Sequence, residues 1–468
     1  MKKFLLGAGL LILSGCAVGP NYKRPQVGLP AEFRGAPPAA AGPGSAVSIV
    51  ETKWQDLFPD PILQQMVTAA LEHNFDLLAA AQRVEEARAQ LGITRANQLP
   101  TLDAQVGFTG SRSSTIGANS FIPAGTNLSS SYTSLGAALS WELDLWGRLR
   151  RLTEASRARY IASEEARRGV TVSLVSNVME AYFQLLEQDL ELDISKKTQG
   201  IAKDSLNLVE LRRQRGAASG LDVRQAEQLL FTAGAQTAAD ERAITQSENL
   251  LSLLQGAVPS AQARGRKLEE IPIPAQVTAG IPSTLLEKRP DIREAEQNLI
   301  AANAEIGAAR ALYFPQLSLS AFAGGQSRSL LNLATAPARV YTVAPGALQA
   351  IFHGGQIRNQ VRFTEAQQRE LVIAYQRSIY SALREVADAL VSFDRLREQR
   401  SQEEQLVNTL QDTVRLSELR YRGGLDSYLQ VLDAQRNLFT GQLALAQLRL
   451  QERVSVVQLY RAVGGGWS

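Results

Sequence analysis

With 468 residues, 45% of them hydrophobic, the chain is long enough to bury a substantial core and suggests two or three domains. Its formal net charge is only +3, and the 49 basic and 46 acidic residues are well mixed, which excludes the basic balance that phosphate-backbone binding needs and with it nucleic acid as a partner. One cysteine excludes an internal disulfide framework.

Lys2 and Lys3 form a positive n-region, Phe4 to Leu13 an apolar h-region, and Leu13-Ser14-Gly15-Cys16 follows. Residues 1–15 read as a lipoprotein signal peptide. Cys16 is then the lipidated mature N-terminus, carrying palmitate, the one non-protein group expected. Removing the two lysines leaves 47 basic against 46 acidic residues, a mature charge near +1. Beyond Leu13 no apolar run approaches the roughly 18–20 residues of a membrane-spanning helix. A mature chain that crosses a membrane must therefore do so as a β-barrel.

Residues 16–55, rich in Pro, Ala and Gly, read as an extended leader between the lipid and the fold. From Asp56 to about Gln98 the pattern is helical, with Leu63, Val67, Ala70 and Leu71 spaced by three or four. After Pro100 it alternates: Leu102, Ala104, Val106 and Phe108 form one strand face, and Leu135, Ala137, Leu139 and Trp141 another. These predict a β-hairpin over about 101–143, with residues 110–130 as its Ser/Gly/Asn-rich loop.

No proline occurs between Pro123 and Pro259, and none after Pro345. Such stretches, dense in Ala, Leu, Gln, Glu and Arg, predict long helices. A helix from about Arg148 to Arg215 would be roughly 100 Å long, with Val175, Val178, Tyr182 and Leu185 continuing a coiled-coil stripe.

The chain then repeats. Glu210-Leu211-Arg212, Gly216, Ser219 and Leu221 recur 208 positions later as Glu418-Leu419-Arg420, Gly424, Ser427 and Leu429. Asp76, Gly92, Arg95-Ala96 and Pro100 recur 215 positions later as Asp291, Gly307, Arg310-Ala311 and Pro315. The changed offset places a small length difference in the strand hairpins or the long helices. Two copies of one unit follow, residues 56–270 and 271–468, the second with a hairpin at about 316–351. Each copy reverses its long helices at a Gly-x-x-Ser turn, 216–220 and 423–427, where Gly216 and Gly424 allow left-handed C-caps and Ser219 and Ser427 can N-cap the returning helix.

Two hairpins supply four strands. Bacterial barrels have eight or more, so a barrel must be shared between chains. Trp141, Trp146, Tyr313, Phe314, Tyr341 and Phe352 could form its interfacial girdles. The fold class is thus mainly α, a long coiled-coil helical barrel with a shared transmembrane β-barrel, in two tandem repeats.

Cys16-Ala-Val-Gly-Pro-Asn-Tyr-Lys-Arg-Pro25, Gly280 to Asp291 with its Arg289-Pro290-Asp291, Phe352-His-Gly-Gly355 and Gly464-Gly-Gly-Trp467 resemble the outer-membrane efflux lipoproteins, the TolC-type factors of resistance–nodulation–division pumps. The resemblance runs from Cys16 to Trp467. It implies a homotrimer, a twelve-stranded barrel in the outer membrane, and a periplasmic helical tunnel closed at its far end. It also implies two partners, a periplasmic adaptor protein and an inner-membrane proton-driven transporter. By the same resemblance Leu429, Asp433 and Arg436, on one helix face at i, i+4 and i+7, form the closed aperture, and Tyr421 and Asp222 match an inter-helix latch. Gly216, Ser219, Gly424 and Ser427 are the helix tips that an adaptor would touch. Gln430 stands where a second aspartate can occur and Asp426 where a basic residue can, which argues against a double carboxylate ring. The plain alternative packs Leu429 in the coiled coil and leaves Asp433 and Arg436 as an ordinary exposed pair.

No catalytic constellation emerges, so no enzyme is expected. His73 and His353 have no metal-ligand spacing, and Met66 and Met179 are too few for a methionine-lined metal path. The expected function is a passive exit channel for drugs or other small toxic compounds. A protein-secretion exit duct and a structural coiled-coil lipoprotein are the alternatives.

Overall fold

The computed structural model describes residues 17–35, 47–49, 52–114, 128–274, 277–278 and 280–465. The signal segment, Cys16 and Trp467 lie outside the described residues. The first repeat runs α1 (Pro61–His73), α2 (Phe75–Ala96), β1 (Thr101–Arg112), β2 (Ser129–Leu143), α3 (Arg148–Gln214) and α4 (Gly220–Leu254). The second runs α5 (Pro282–Lys288), α6 (Pro290–Ala311), β3 (Gln316–Ser327), β4 (Arg339–Leu348), α7 (Gln356–Arg422) and α8 (Tyr428–Ala462). α3 and α7 each have 67 residues, and α4 and α8 each 35. The offset is 215 from α2 to α6 and from β1 to β3, then 208 from α3 to α7. The length difference therefore lies in the strand hairpins, not in the long helices. No described helix is long and apolar enough to cross a membrane.

Two compact units form, and each repeat contributes to both. One comprises Met1–Pro25, Val84–Ser163 and Ala295–Tyr375. Its centre is an antiparallel sheet in the order β1-β2-β3-β4. The register sets Leu102, Val106 and Phe108, then Leu135, Leu139 and Trp141, then Leu317 and Leu319, then Tyr341 and Val343 on one face. The opposite face carries Asp103, Gln105, Ser134, Ser140, Glu142, Ser318, Ser320 and Thr342, with Phe322 and Val340 among its large apolar members. Gly136 and Gly324 oppose each other across β2 and β3. A Cβ on Gly324 would lie 2.2 Å from the Leu135 carbonyl oxygen and 2.6 Å from the Gly136 Cα, the close backbone approach that marks a tight bend in a sheet. Trp146 stacks on Phe314 at 4.8 Å and donates to the Pro315 carbonyl, while Trp141 donates to that of Gln98.

Residues 17–25 are seated on this unit. Val18 N–H donates to the Trp146 carbonyl, and Arg151 donates to the Val18 carbonyl and to Asn21 Oδ1. Asn303 donates to the Pro20 carbonyl, and Tyr22 and Arg24 both donate to the Glu296 carboxylate. Gly19, at φ +107°, crosses Gly307 so closely that a Cβ on Gly19 would lie 2.4 Å from the Gly307 Cα.

The other unit comprises Gln26–Arg83, Glu164–Glu294 and Gln376–Ser468. Asp60 caps α1 through the Ile62 and Leu63 amides, and Pro61 presets its first turn. The stripe Val175, Val178, Tyr182 and Leu185 is fully covered. The repeats close on themselves here in parallel ways. Asn74 Nδ2 donates to the Leu254 carbonyl at the end of α4, while its Oδ1 accepts from Asp76 and Leu77 at the start of α2. At the equivalent place Arg289 donates to the Ala462 carbonyl at the end of α8, and to Asp291 and Glu385. Burial alone would lower the Arg289 pKa, but the Asp291 and Glu385 carboxylates outweigh it and keep the guanidinium charged. Gly256 (φ +66°) and Gly464 (φ +97°) follow the two joints, against the His73 and Lys288 carbonyls. The Arg-Pro-Asp segment is thus a clasp between the start of one helix and the end of another.

Candidate functional site

The two Gly-x-x-Ser turns lie in the second unit. Both long helices end in the same way. Gly216 and Gly424 take φ of +74° and +73°. Ala217 and Leu425 N–H groups reach back to the Arg212 and Arg420 carbonyls at 2.8 and 2.9 Å, the hydrogen-bond pattern of a left-handed helix cap. A side chain at either glycine has space around it, so conformation alone selects glycine.

The starts of the returning helices differ. Ser219 accepts from the Asp222 amide while the Asp222 carboxylate accepts from the Ser219 amide, a complete capping box. Ser427 occupies the N-cap position but its hydroxyl makes no cap hydrogen bond. The expectation that both serines cap through their hydroxyls is thereby corrected for Ser427. The second turn is instead held by Arg420, which grips Asp426 through two hydrogen bonds of 2.5 and 3.1 Å. The hydrogen bond from Arg420 lowers the Asp426 pKa.

The repeat-equivalent of Arg420 is Arg212, and the equivalent of Asp426 is Ala218. With no acid in its own turn, Arg212 crosses to the other hairpin. It donates to the Tyr421 and Arg422 carbonyls and lies 4.3 Å over the Tyr421 ring. Tyr421 packs edge-on against Tyr428 at 5.5 Å. Around them Val209, Val223 and Leu229 of the first hairpin meet Val431 and Leu432 of the second in one apolar cluster. Removing each Val or Leu side chain from water contributes about 1.5–3 kcal/mol.

Asp222 and Tyr421 share no hydrogen bond within this chain. Asp222 caps its own helix and Tyr421 anchors the hairpins to each other. Leu429 is 49% exposed rather than packed in the chain's own coiled coil. Asp433 and Arg436 are exposed on the same helix, and among the described residues no ion pair joins them; Asp433 accepts from Asn437 at 3.3 Å. Leu429, Asp433 and Arg436 therefore form a face that the chain leaves open. The sequence marks Arg212 and Arg420 only as repeated positions and Asp426 only as a departure at the aperture, and it gives no sign of Tyr428. A signal for the two arginines and Asp426 was present, because the repeated Glu-Leu-Arg is followed by Ala218 in one copy and Asp426 in the other. Among the described residues no group of His, Cys, Asp and Glu could hold a metal ion.

A profile described as outer membrane efflux protein matches residues 66–257 and 281–465. The solvent efflux pump outer membrane protein SrpC of Pseudomonas putida is 38% identical over 461 residues, spanning 98% of this chain and 97% of that protein. The open-state MtrE outer membrane channel of Neisseria gonorrhoeae superposes with a TM-score of 0.84 at 30% identity, covering 96% and 98% of the two chains. A membrane protein from Pseudomonas aeruginosa superposes at 0.87 with 32% identity, covering 96% and 100%. Together with the tandem helical hairpins and the four-stranded sheet, these likenesses mean that the chain belongs to the outer membrane efflux protein family.

Proposed function

We propose that three copies of this chain form the outer-membrane exit duct of a tripartite efflux pump, carrying drugs or other small toxic compounds outward without catalysis. The sheet carries the argument. It has one mainly apolar and one mainly polar face, a glycine bend, and two edges, β1 and β4, with no partner among the described residues. In lipid those edges must be paired, and four strands cannot close a barrel. Three copies joined edge to edge give a twelve-stranded barrel, apolar outward and polar inward. Exposed Leu99 and Leu102 beside one edge, and Leu348, Ile351 and Phe352 beside the other, supply unlike surfaces that a head-to-tail ring would bury.

In this reading Cys16 carries the lipid, and Ala17, seated beside Gly147, brings it to the strand-to-helix corner. The helical part lies in the periplasm. Leu429 plugs the bore, Asp433 and Arg436 latch neighbouring chains, and Tyr421 and Asp222 hold the latch helices. A periplasmic adaptor contacts the tips at Gly216, Ser219, Gly424 and Ser427, and an inner-membrane resistance–nodulation–division transporter selects the cargo.

Single-channel conductance in planar bilayers tests the assignment. The purified chain should insert as a trimer of low conductance, and Leu429→Ala combined with Asp433→Ala should raise that conductance severalfold. Unchanged conductance in the double variant would remove Leu429 and Asp433 from the gate.

A further inference from the structure

The two long hairpins differ in charge around one ion pair far in sequence from their turns. Lys196 on α3 pairs with Glu241 on α4 at 3.0 Å. The pair recurs 208 positions later with its signs exchanged, Glu404 on α7 with Arg449 on α8 at 3.4 Å. Around it the second hairpin adds Arg397, Arg400, Glu452 and Arg453, where the first has Asp189, Leu192, Ile244 and Thr245. The first hairpin folds without these charges, so the hairpin architecture does not require them.

The carboxylates of this cluster are already engaged. Glu404 pairs with both Arg400 and Arg449, Glu452 with Arg400 at 2.7 Å, and Glu269, from the segment after α4, with Arg449. Arg453 is only 4% exposed, yet it has no carboxylate within ion-pair distance among the described residues. It donates to two main-chain carbonyls, those of Arg449 at 2.8 Å and Ile271 at 3.1 Å, and its Nε has no partner. Burial, with the charges of Arg449 and Arg400, pushes the Arg453 pKa down to about 10 against the pull of Glu452. A buried cation with no carboxylate in contact with it is unfavourable.

Beside Arg453 opens a cavity of about 290 Å³, lined by four arginines and three glutamates of this cluster. Since water takes about 30 Å³ per molecule in the liquid, the cavity has room for a small anion with part of its hydration shell. A guanidinium presents a planar fork of donors matched to two oxygens of a carboxylate or phosphate. We propose that this cavity binds a small oxyanion, a carboxylate or a phosphate, which supplies the counter-charge that Arg453 lacks.

Isothermal titration of the detergent-solubilised full-length protein with inorganic phosphate and, separately, acetate tests this, with chloride keeping the ionic strength constant. One saturable site per chain is expected for at least one anion. Response to both points to recognition of two oxygens, and response to phosphate alone to recognition of the dianion. Arg453→Gln should weaken binding at least tenfold, and Arg453→Lys, which keeps the charge without the fork, by less. Glu269→Gln removes a competing negative charge from a half-exposed position and should tighten binding severalfold, a readout that does not depend on how Arg453 variants fold. No saturable binding to the wild-type protein overturns the proposal. So does wild-type affinity in Arg453→Gln or in Glu269→Gln.

Discussion

Replacing Arg289 by alanine should open the end of α8 while leaving the end of α4 closed. The side chain makes four hydrogen bonds: two to Asp291, one to Glu385 and one to the Ala462 carbonyl. The Asp291 and Glu385 side chains are 49% and 41% exposed, so water replaces much of what they lose, and each contributes at most about 1 kcal/mol. The Ala462 carbonyl lies in a covered joint, and losing its donor costs about 1–3 kcal/mol. The sum is about 1–5 kcal/mol, or roughly 5- to 4,000-fold in a local opening equilibrium. Amide hydrogen exchange reads this directly, because the N–H groups of Val463, Gly464 and Gly465 bond back to the last turn of α8. Their protection should fall by that factor in Arg289→Ala. The amides of Gln255, Gly256 and Ala257, which close the equivalent turn of α4, should not change. Asn74→Ala should give the converse pattern, since it removes both the N-cap of α2 and the donor to Leu254. Less than a threefold change at residues 463–465, or equal loss at both joints, would refute the equivalence of Asn74 and Arg289.

Ser219→Ala should cost about 1 kcal/mol and speed exchange in the first turn of α4, whereas Ser427→Ala, which removes no cap hydrogen bond, should leave the first turn of α8 unchanged. Glu187 is buried in α3, and burial followed by the nearby Glu191 and Asp240 raises its pKa from 4.5 to about 8. Between those values the folded protein holds a proton that the unfolded chain has lost, so stability falls as pH rises through that window. Thermal unfolding at pH 5, 7 and 9 should show this decline, and Glu187→Gln should flatten it; equal slopes in both proteins would reject the buried carboxyl as its source. Gly324→Val forces a side chain into the Leu135 carbonyl, and outer-membrane fractionation should find little inserted protein. Normal insertion would mean that the sheet does not need that bend.

Periodicity and repetition carried most of the architecture. The 215 and 208 offsets that separate Asp76 from Asp291 and Gly216 from Gly424 are the offsets between structural elements, and the proline-free stretches are helices of 67 residues. What the sequence hid are jobs done by unlike side chains. Asn74 and Arg289 share no chemistry beyond a donor long enough to reach a carbonyl, so no motif links them. Ser427 looks identical to Ser219, yet only Ser219 is followed at the third position by an acid, Asp222, where Ser427 has Gln430. The residues after Cys16 read as a leader because they are rich in Pro, Ala and Gly. Their seating depends on the meeting of Gly19 with Gly307, a fit of backbones that composition does not record.

That seating also sets an order of events. Tyr22 and Arg24 lie 274 and 272 residues before Glu296, and Pro20 lies 283 residues before Asn303. Val18 and Asn21 can meet Trp146 and Arg151 once the first repeat is made, but Pro20, Tyr22 and Arg24 must wait for their partners until more than half of the polypeptide has followed them. Contacts so distant in sequence form late and slowly. A fully seated N-terminal strap is therefore a mark that α6 of the second repeat is already in place.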